Sequence, residues 1–204
     1  MTSREHNIQP PLYGLVLAGG KSVRMGYDKG AIRWHRVEQR YYVADMLKNV
    51  CDDVYISCRE EQINEINSHY KTLPDTYPGS GPHIAILSAF QAKPNVAWLV
   101  AACDLPLLDL PTLQFLIQNR DATKIATTFK SPFDGLPEPL ITIWESASFE
   151  KLQAHISDGF NCPRKALIRN EALVKILTPP NPDALMNANT PEDAEKVRLK
   201  TPNP

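Results

Sequence analysis

The sequence predicts an α/β fold with a single doubly wound, mainly parallel sheet and helices on both of its faces. Short apolar runs of strand length alternate along the chain with longer segments that have helical apolar spacing. A chain of 204 residues, of which 43% are hydrophobic, is long enough to bury one full core. Such alternation favours parallel strands joined by crossover helices. We expect residues 12–200 to form this domain and the polar residues 1–11 to form a flexible tail.

The first half of the chain contains three predicted strands and three predicted helices. Residues 96–102 are a continuous apolar run, which is typical of a central strand buried on both faces. Residues 73–82 are rich in proline and glycine and therefore indicate a loop. The predicted elements on the two sides of that loop are strands over 13–18, 54–58 and 96–102 and helices over 38–49, 60–67 and 84–91.

The second half continues the alternation. Pro111 is tolerated in the first turn of a helix that we predict over 110–119. Thr190 and Pro191, followed by two acidic side chains, indicate the start of a last helix, because threonine caps an N-terminus and proline fits the first turn. The remaining predicted elements are strands over 125–128, 140–143 and 174–177 and a helix over 146–156.

Composition narrows the class of protein. A net charge of −1 gives no general attraction to nucleic acid or to anionic lipid. No apolar run approaches the length of a membrane span, and the polar N-terminus lacks the apolar region of a secretion signal. The four cysteines form no C-x-x-C pair and the five histidines are scattered, which argues against structural zinc. We therefore expect a cytoplasmic protein with no nucleic acid or membrane partner.

The most informative segment is the glycine-rich loop that follows the first predicted strand. The apolar run ends in Gly19 and Gly20, and Lys21, Arg24 and Lys29 follow within ten residues. Glycines let a backbone approach a ligand closely, and successive N–H groups in such a loop bind anions. The loop is not a P-loop, which would need a glycine five positions before the Gly-Lys pair, and it contains no G-x-G-x-x-G fingerprint. Its cations suit a polyphosphate.

A carboxylate follows the predicted central strand. Asp104 comes directly after the apolar run, and Pro106 follows it at a spacing of two. A charge at the end of a buried strand must be solvated, paired or bound to a metal. Because Mg²⁺ takes one or two carboxylates together with phosphate oxygens and water, Asp104 is a candidate Mg²⁺ ligand. The alternative is a loop or N-cap aspartate.

Three separated motifs resemble those of the MobA-type nucleotidyltransferases, the molybdenum cofactor guanylyltransferases. The first is Leu-Ala-Gly-Gly-x-Ser-x-Arg-Met-Gly-x-Asp-Lys over 17–29, the second is the Asp-x-Pro of Asp104, and the third is Asn-x-Asn-Thr-Pro-Glu-Asp over 187–193. The resemblance extends over residues 12–197. It implies a Rossmann-like nucleotidyltransferase fold and the transfer of GMP from MgGTP to the terminal phosphate of the molybdopterin cofactor, with release of pyrophosphate.

The resemblance also implies roles for individual residues. Arg24 and Lys29 would act in catalysis together with Asp104, which would hold Mg²⁺. Asn187 and Asn189 would bind the pterin acceptor, although a turn and helix cap accounts equally well for Asn187. The implied partners are GTP and molybdopterin, and the protein would be a monomer or weak oligomer that meets other proteins of the cofactor pathway or recipient apo-enzymes. The implied nucleotide-binding residues are Leu17, Ala18, Gly19, Gly20, Lys21, Ser22, Lys29, Asp75 and Gly81.

Two segments depart from the family pattern. The family has Gly-Pro-Leu-Ala-Gly beside the nucleoside, and this chain continues from Gly81-Pro82 into His83-Ile84-Ala85. Residues 33–38 contain no Gly-x-Pro turn. A further segment, 161–165, is basic and precedes a predicted helix. It is either an acceptor site or, as we favour, a solvated surface.

Three other functions are compatible with these motifs. A molybdenum cofactor cytidylyltransferase typically has Ala-Ala-Gly at Ala18-Gly19-Gly20 and lacks an acid before the loop lysine, so Gly19 and Asp28 favour GTP. A sugar-phosphate nucleotidyltransferase would share the loop but is usually longer. A nucleotide-binding module without activity is allowed by the departures, whereas Arg24, Lys29 and Asp104 argue against it.

Overall fold

One seven-stranded sheet organises the protein. The computed structural model describes residues 9–19 and 29–200. The strand order is β3-β2-β1-β4-β6-β5-β7, and within it only β6 runs antiparallel to its neighbours. The strands are β1 (Leu12–Leu17), β2 (Asp53–Cys58), β3 (Lys71–Pro74), β4 (Ala97–Ala102), β5 (Ala126–Lys130), β6 (Pro137–Trp144) and β7 (Val174–Leu177).

Helices cover both faces of the sheet, as predicted. One core cluster joins α1 and α3 to one face through residues such as Leu47 and Leu116, and a second joins α2, α4 and α5 to the other face through residues such as Phe90, Leu152 and Leu167. The helices are α1 (Gln39–Lys48), α2 (Pro82–Ala92), α3 (Leu110–Gln118), α4 (Ser148–Ser157), α5 (Pro163–Arg169) and α6 (Pro191–Lys200), with short 3-10 turns at Lys29–Ala31, Glu60–Glu65, Glu171–Leu173 and Pro182–Leu185.

The predicted central strand is confirmed. All six residues of β4 are buried, and the strand lies between β1 and β6. Trp98 of β4 faces Trp144 of β6 across the sheet, and both indoles are at most 1% exposed. At about 25 cal/mol per Å² of apolar surface, such large side chains contribute strongly to the core. The helices in the described part of the chain are too short or too polar to cross a membrane.

Two details of the prediction are wrong. Residues 71–74, which overlap the start of the loop predicted over 73–82, form the edge strand β3. The segment 60–67 contains a 3-10 helix over Glu60–Glu65 instead of an α-helix. The carbonyl of Pro11, the last residue of the predicted tail, accepts a 2.9 Å hydrogen bond from the Ala97 amide directly before β1.

Candidate active site

A cavity opens at the carboxyl ends of β1 and β4. This is the edge of a parallel sheet where ligands of doubly wound folds bind. The volume of the cavity is about 210 Å³, and its walls come from the ends of four strands and the start of α2. The lining residues are Leu17, Ala18, Gly19, Gly30, Ser57, Asp75, Gly81, Pro82, Ala85, Ala102, Cys103, Asp104 and Leu140.

The start of the glycine-rich loop is held against β2. The Ala18 amide donates to the carbonyl of Ser57 at 3.1 Å, which extends the β1–β2 pairing by one residue. The carbonyl of Gly19 accepts a 2.5 Å hydrogen bond from Arg59 Nη1. A Cβ at Gly19 would lie 3.4 Å from Asp75 Oδ2, so the glycine lets the backbone pass close to that carboxylate. Sequence analysis did not identify Arg59, because an arginine after a strand carries no motif of its own.

Four of the predicted site residues lie outside the described part of the chain, namely Gly20, Lys21, Ser22 and Arg24. The described residues continue from Lys29, the first residue of the Lys29–Ala31 turn. Gly30, directly after this lysine, is buried and lines the cavity. The backbone at the two ends of the loop therefore borders the same cavity.

Asp75 is anchored beside Gly19 at the end of β3. Its amide donates to the Cys58 carbonyl at 3.0 Å, and its Oδ1 accepts a 2.9 Å hydrogen bond from the Ser57 hydroxyl. Burial raises the pKa of the Asp75 carboxyl above its usual value, although Ser57 and Arg59 partly oppose that shift. Burial, with the charge of Asp75, raises the pKa of the Cys58 thiol to about 11. That thiol is therefore protonated at neutral pH and serves as a packing group.

The turn before α2 explains how the chain accommodates Ile84. The Ile84 side chain is 2% exposed, and its Cδ1 would lie 3.0 Å from a Cβ built on Gly79. Ile84 thus packs beneath the turn, in space that a glycine leaves open, and does not line the cavity. Ala85 does line it, so of the two residues that depart from the family pattern Ala85 is the one that changes the wall of the cavity. Gly81 has φ +103°, a conformation that favours glycine.

Asp104 lies across the cavity from Asp75 and is contacted by the segment with the two predicted asparagines. The Ala188 amide donates a 2.9 Å hydrogen bond to the Asp104 carbonyl, which brings Asn187 and Asn189 to the same edge of the sheet. Oδ1 of Asn187 is buried and has no hydrogen-bond partner within residues 9–19 and 29–200. A turn and helix cap leaves that buried acceptor unexplained.

The predicted cap of the last helix is confirmed. Thr190 Oγ1 accepts a 3.1 Å hydrogen bond from the Asp193 amide. In return, Asp193 Oδ2 accepts hydrogen bonds from the amides of Asn189 and Thr190 at 3.2 and 3.1 Å. Burial raises the pKa of Asp193, but these hydrogen bonds outweigh it and the pKa is lowered overall. The cap fixes the backbone at Asn189.

A second carboxylate, Glu138, lies near Asp104. It is the second residue of β6, which runs antiparallel to β4, so the start of β6 lies at the edge of the sheet where β4 ends. Glu138 is 3% exposed, and its Oε2 accepts a 2.8 Å hydrogen bond from Arg164 Nη2. Burial raises the pKa of Glu138, Arg164 lowers it, and Asp104 raises it, so the pKa is raised on balance.

Arg164 differs from the other polar residues of the basic segment 161–165, because Asn161 and Lys165 are exposed, as on a solvated surface, whereas Arg164 is partly buried in ion pairs. This arginine lies in the first turn of the short helix α5, which begins at Pro163, and bridges two acids, donating to Asp134 at 2.6 Å and to Glu138 at 2.8 Å. Its side chain is 26% exposed and reaches the buried Glu138 carboxylate. A guanidinium there can bind one more anionic group without leaving Glu138, since it has five N–H donors.

The oxygen atoms around Asp104 suit a hard divalent cation. Asp104, Glu138 and Asn187 offer carboxylate and amide oxygens, which are the ligands that Mg²⁺ prefers, and Mg²⁺ completes its shell with water and phosphate. In the described ranges, no three His, Cys, Asp or Glu side chains converge on one point as they do in a dedicated protein cage. The donor set therefore fits a cation held largely by a phosphate substrate.

Comparisons with known proteins agree with this geometry. A bifunctional molybdenum cofactor biosynthesis protein of Synechocystis sp. is 34% identical over 190 residues, which are 93% of this chain and 54% of that protein. A molybdenum cofactor guanylyltransferase of Pseudomonas putida is 27% identical over 191 residues, which are 90% of this chain and 96% of that protein. The solved structure of molybdopterin-guanine dinucleotide biosynthesis protein A from Archaeoglobus fulgidus superposes with a TM-score of 0.75, 22% identity and coverage of 92% and 97%.

The family assignment rests on the match that covers most of the chain. The model of the MobA-like NTP transferase domain matches residues 14–173, from the third residue of β1 to the last residue of the 3-10 turn before β7. That range includes the loop after β1, Asp75 and Asp104, and so contains the whole lining of the cavity. This chain therefore belongs to the MobA-like NTP transferase domain family.

Proposed function

We propose that this protein transfers GMP from MgGTP to the terminal phosphate of the molybdopterin form of molybdenum cofactor and releases pyrophosphate. The observation that carries the proposal is that Gly19, Asp75 and Asp104, which are far apart in the sequence, border one cavity at the carboxyl edge of the sheet. The names of the relatives support the same substrate pair. We propose one catalytic domain over residues 12–200 that works in the cytoplasm.

The glycine-rich loop would bind the triphosphate. Gly19, Gly20 and Ser22 would present backbone N–H groups to its oxygens, and Lys21 would add charge at the same loop. Arg24 and Lys29 would neutralise the charge that builds on the α-phosphate and the departing pyrophosphate, one as a planar fork of donors and the other as a point charge. Such a loop lowers the barrier by holding donors where negative charge develops.

The nucleoside would lie between the end of β1 and the start of α2. Leu17, Ala18 and Gly81 line the cavity on that side, and the Asp75 carboxylate faces them as an acceptor for N–H or hydroxyl groups. Because Asp75 stays close to the Gly19 backbone, a base or ribose bound to it would keep the triphosphate at the start of the loop.

Asp104 would hold Mg²⁺ between the two substrates. Glu138 and Asn187 would be the neighbouring oxygen donors, and within the described residues no three His, Cys, Asp or Glu side chains form a dedicated cage. When bound, Mg²⁺ neutralises phosphate charge and keeps the reacting groups together. An acceptor phosphate is already anionic at neutral pH, so the side chains need only position it and offset charge.

The acceptor would enter from the far side of Asp104. Asn187 and Asn189 lie there because of the Ala188–Asp104 hydrogen bond. Arg164 is a further cation on this side, from the basic segment 161–165 for which the sequence left an acceptor site as the less favoured alternative. The acidic acceptor would meet two amides and one guanidinium, while GTP occupies the opposite wall. As a monomer or weak oligomer, the protein would receive the pterin from another protein of the pathway or pass it to an apo-enzyme.

A thermal-shift panel with GTP, CTP, ATP and UTP, each with Mg²⁺, tests the nucleotide assignment. A ligand at 100 times its dissociation constant stabilises the fold by about 2.7 kcal/mol, which is readily measured. We expect a selective shift with GTP, followed by GMP transfer and pyrophosphate release when molybdopterin is added. A selective shift with CTP would indicate a cytidylyltransferase. A shift with GTP but no transfer would indicate a nucleotide-binding module.

A further inference from the structure

Two side chains outside the cavity hold the loop that carries Asp104. His35 Nε2 lies 2.7 Å from the carbonyl oxygen of Pro106. A carbonyl can only accept, so this ring nitrogen carries the proton and donates. The imidazole is stacked on Tyr42 with 3.8 Å between ring centroids and an interplanar angle of 15°. The stack fixes the orientation of the ring and therefore the direction of its N–H group.

Gln39 makes the second connection. Its side chain is fully buried, and its Nε2 donates to the Leu105 carbonyl at 3.3 Å. His35 and Gln39 thus contact the two residues that directly follow Asp104. The backbone N–H of Gln39 also donates to the carbonyl of Ile32 at 2.8 Å, which closes residues 32–39 into one compact segment.

The position of this segment in the chain gives the contacts a consequence. Residues 30–38 continue from the turn that begins at Lys29, and both Gly30 and Asp104 line the cavity. This segment and the first residue of α1 are therefore hydrogen-bonded to Leu105 and Pro106, the two residues that follow Asp104. Side-chain donors on these carbonyls restrict the backbone that carries the Asp104 carboxylate, and a carboxylate already held in place binds a cation without the cost of ordering it.

We propose that His35 and Gln39 are positioning residues that hold the backbone after Asp104 in place for divalent metal binding. The inference rests on the proposed function, because it needs Asp104 to hold the metal. His35 reaches this backbone from the segment between the Lys29–Ala31 turn and α1, and Gln39 reaches it from the first residue of α1.

The test compares variants that differ in one donor. His35→Phe keeps an aromatic ring on Tyr42 and removes the N–H group, whereas His35→Gln places an amide Nε2 where the imidazole Nε2 was. Gln39→Met removes the second donor at similar volume and carries the test if His35→Phe fails to fold. His69→Phe is the matched control, since His69 is exposed and lies near the opposite end of the sheet.

Mn²⁺ binding followed by electron paramagnetic resonance, with and without GTP, gives a readout independent of turnover. With GTP present, we expect His35→Phe to raise the Mn²⁺ dissociation constant about fivefold, which is the usual effect of one hydrogen bond. His35→Gln should restore tight binding, and His69→Phe should bind as the wild type does. In the transfer assay, kcat should fall at ordinary Mg²⁺ while the KM for GTP changes little.

The outcomes separate this inference from the proposed function. If the wild type binds Mn²⁺ and GTP and His35→Phe binds Mn²⁺ equally tightly, His35 is only structural and the inference is wrong, whatever happens to the melting temperature. If the wild type binds neither ligand, the assignment of Asp104 is wrong and the inference is refuted with it. A loss of Mn²⁺ affinity that His35→Gln reverses supports the positioning role.

Discussion

Replacing Arg36 by glycine should stabilise the protein. Arg36 has φ +66°, which makes it the one non-glycine residue with positive φ in the described ranges. It lies within residues 33–38, where the Gly-x-Pro turn of the family is missing, and its side chain is exposed. The backbone therefore takes a left-handed conformation that glycine adopts without strain, while carrying a side chain that collides with the following carbonyl.

Two opposing effects set the size of the change. Left-handed conformation costs a non-glycine residue about 1–2 kcal/mol. Glycine loses more backbone freedom on folding, which costs roughly 0.5–1 kcal/mol. The difference is a gain of about 0.5–1 kcal/mol, or roughly 2 °C in melting temperature for a chain of this size. Urea denaturation and thermal melts followed by circular dichroism would measure both quantities.

The control for Arg36→Gly is Arg33→Gly in the same segment. Arg33 is also exposed, but its φ is not positive, so this substitution adds backbone entropy without relieving strain. We expect it to destabilise the protein by up to about 1 kcal/mol. If Arg36→Gly and Arg33→Gly lowered stability equally, contacts of the Arg36 side chain would outweigh strain and the reasoning would be wrong.

Three further substitutions test the site. Asp104→Asn should abolish Mg²⁺-dependent transfer, and normal activity at ordinary Mg²⁺ would remove this residue from the metal site. Lys29→Ala should lower turnover at least about tenfold with an unchanged melting temperature; unchanged turnover would exclude a catalytic role. Asp75→Asn removes a carboxyl whose pKa is raised in the folded protein, so at neutral pH its negative charge destabilises the folded state. The variant should therefore melt no lower than the wild type at pH 7, and the difference in melting temperature should vanish below about pH 4, where the carboxyl is protonated. The rise in melting temperature with GTP should be smaller in the variant, and a variant that melts lower than the wild type at pH 7 would contradict the direction of the effect.

The sequence predicted the sheet except for one of its two edge strands, β3. The run over 96–102 is long and apolar, and it became the buried centre of the sheet. Strand β3 has only four residues, ends in Pro74 and has one exposed residue, so it shows neither an apolar run nor a clear alternation. Pairing with β2 decides its conformation, and the strand delivers Asp75 to the cavity.

The direction of β6 explains why the sequence did not predict Glu138 as a site residue. In a parallel sheet, functional side chains are expected directly after strands, because parallel strands end at the binding edge. Strand β6 runs antiparallel to β4, so its first residues, not its last, lie at that edge. An acid between Pro137 and Pro139 at the start of an apolar strand was the available signal. Its partner Arg164 lies 26 residues away, and no local pattern links the two.

The loop after β4 is the part of the site held from most directions. Its Asp104 carbonyl accepts from Ala188, and its next two carbonyls accept from Gln39 and His35. These donors come from segments far apart in the sequence, so the position of the loop depends on the folded sheet and not on local propensity. In a reaction driven by positioning, a displacement of about 1 Å can cost on the order of a hundredfold in rate. Substitution of Gln39 or His35, whose donors are side-chain groups, should therefore lower turnover although neither side chain lines the cavity.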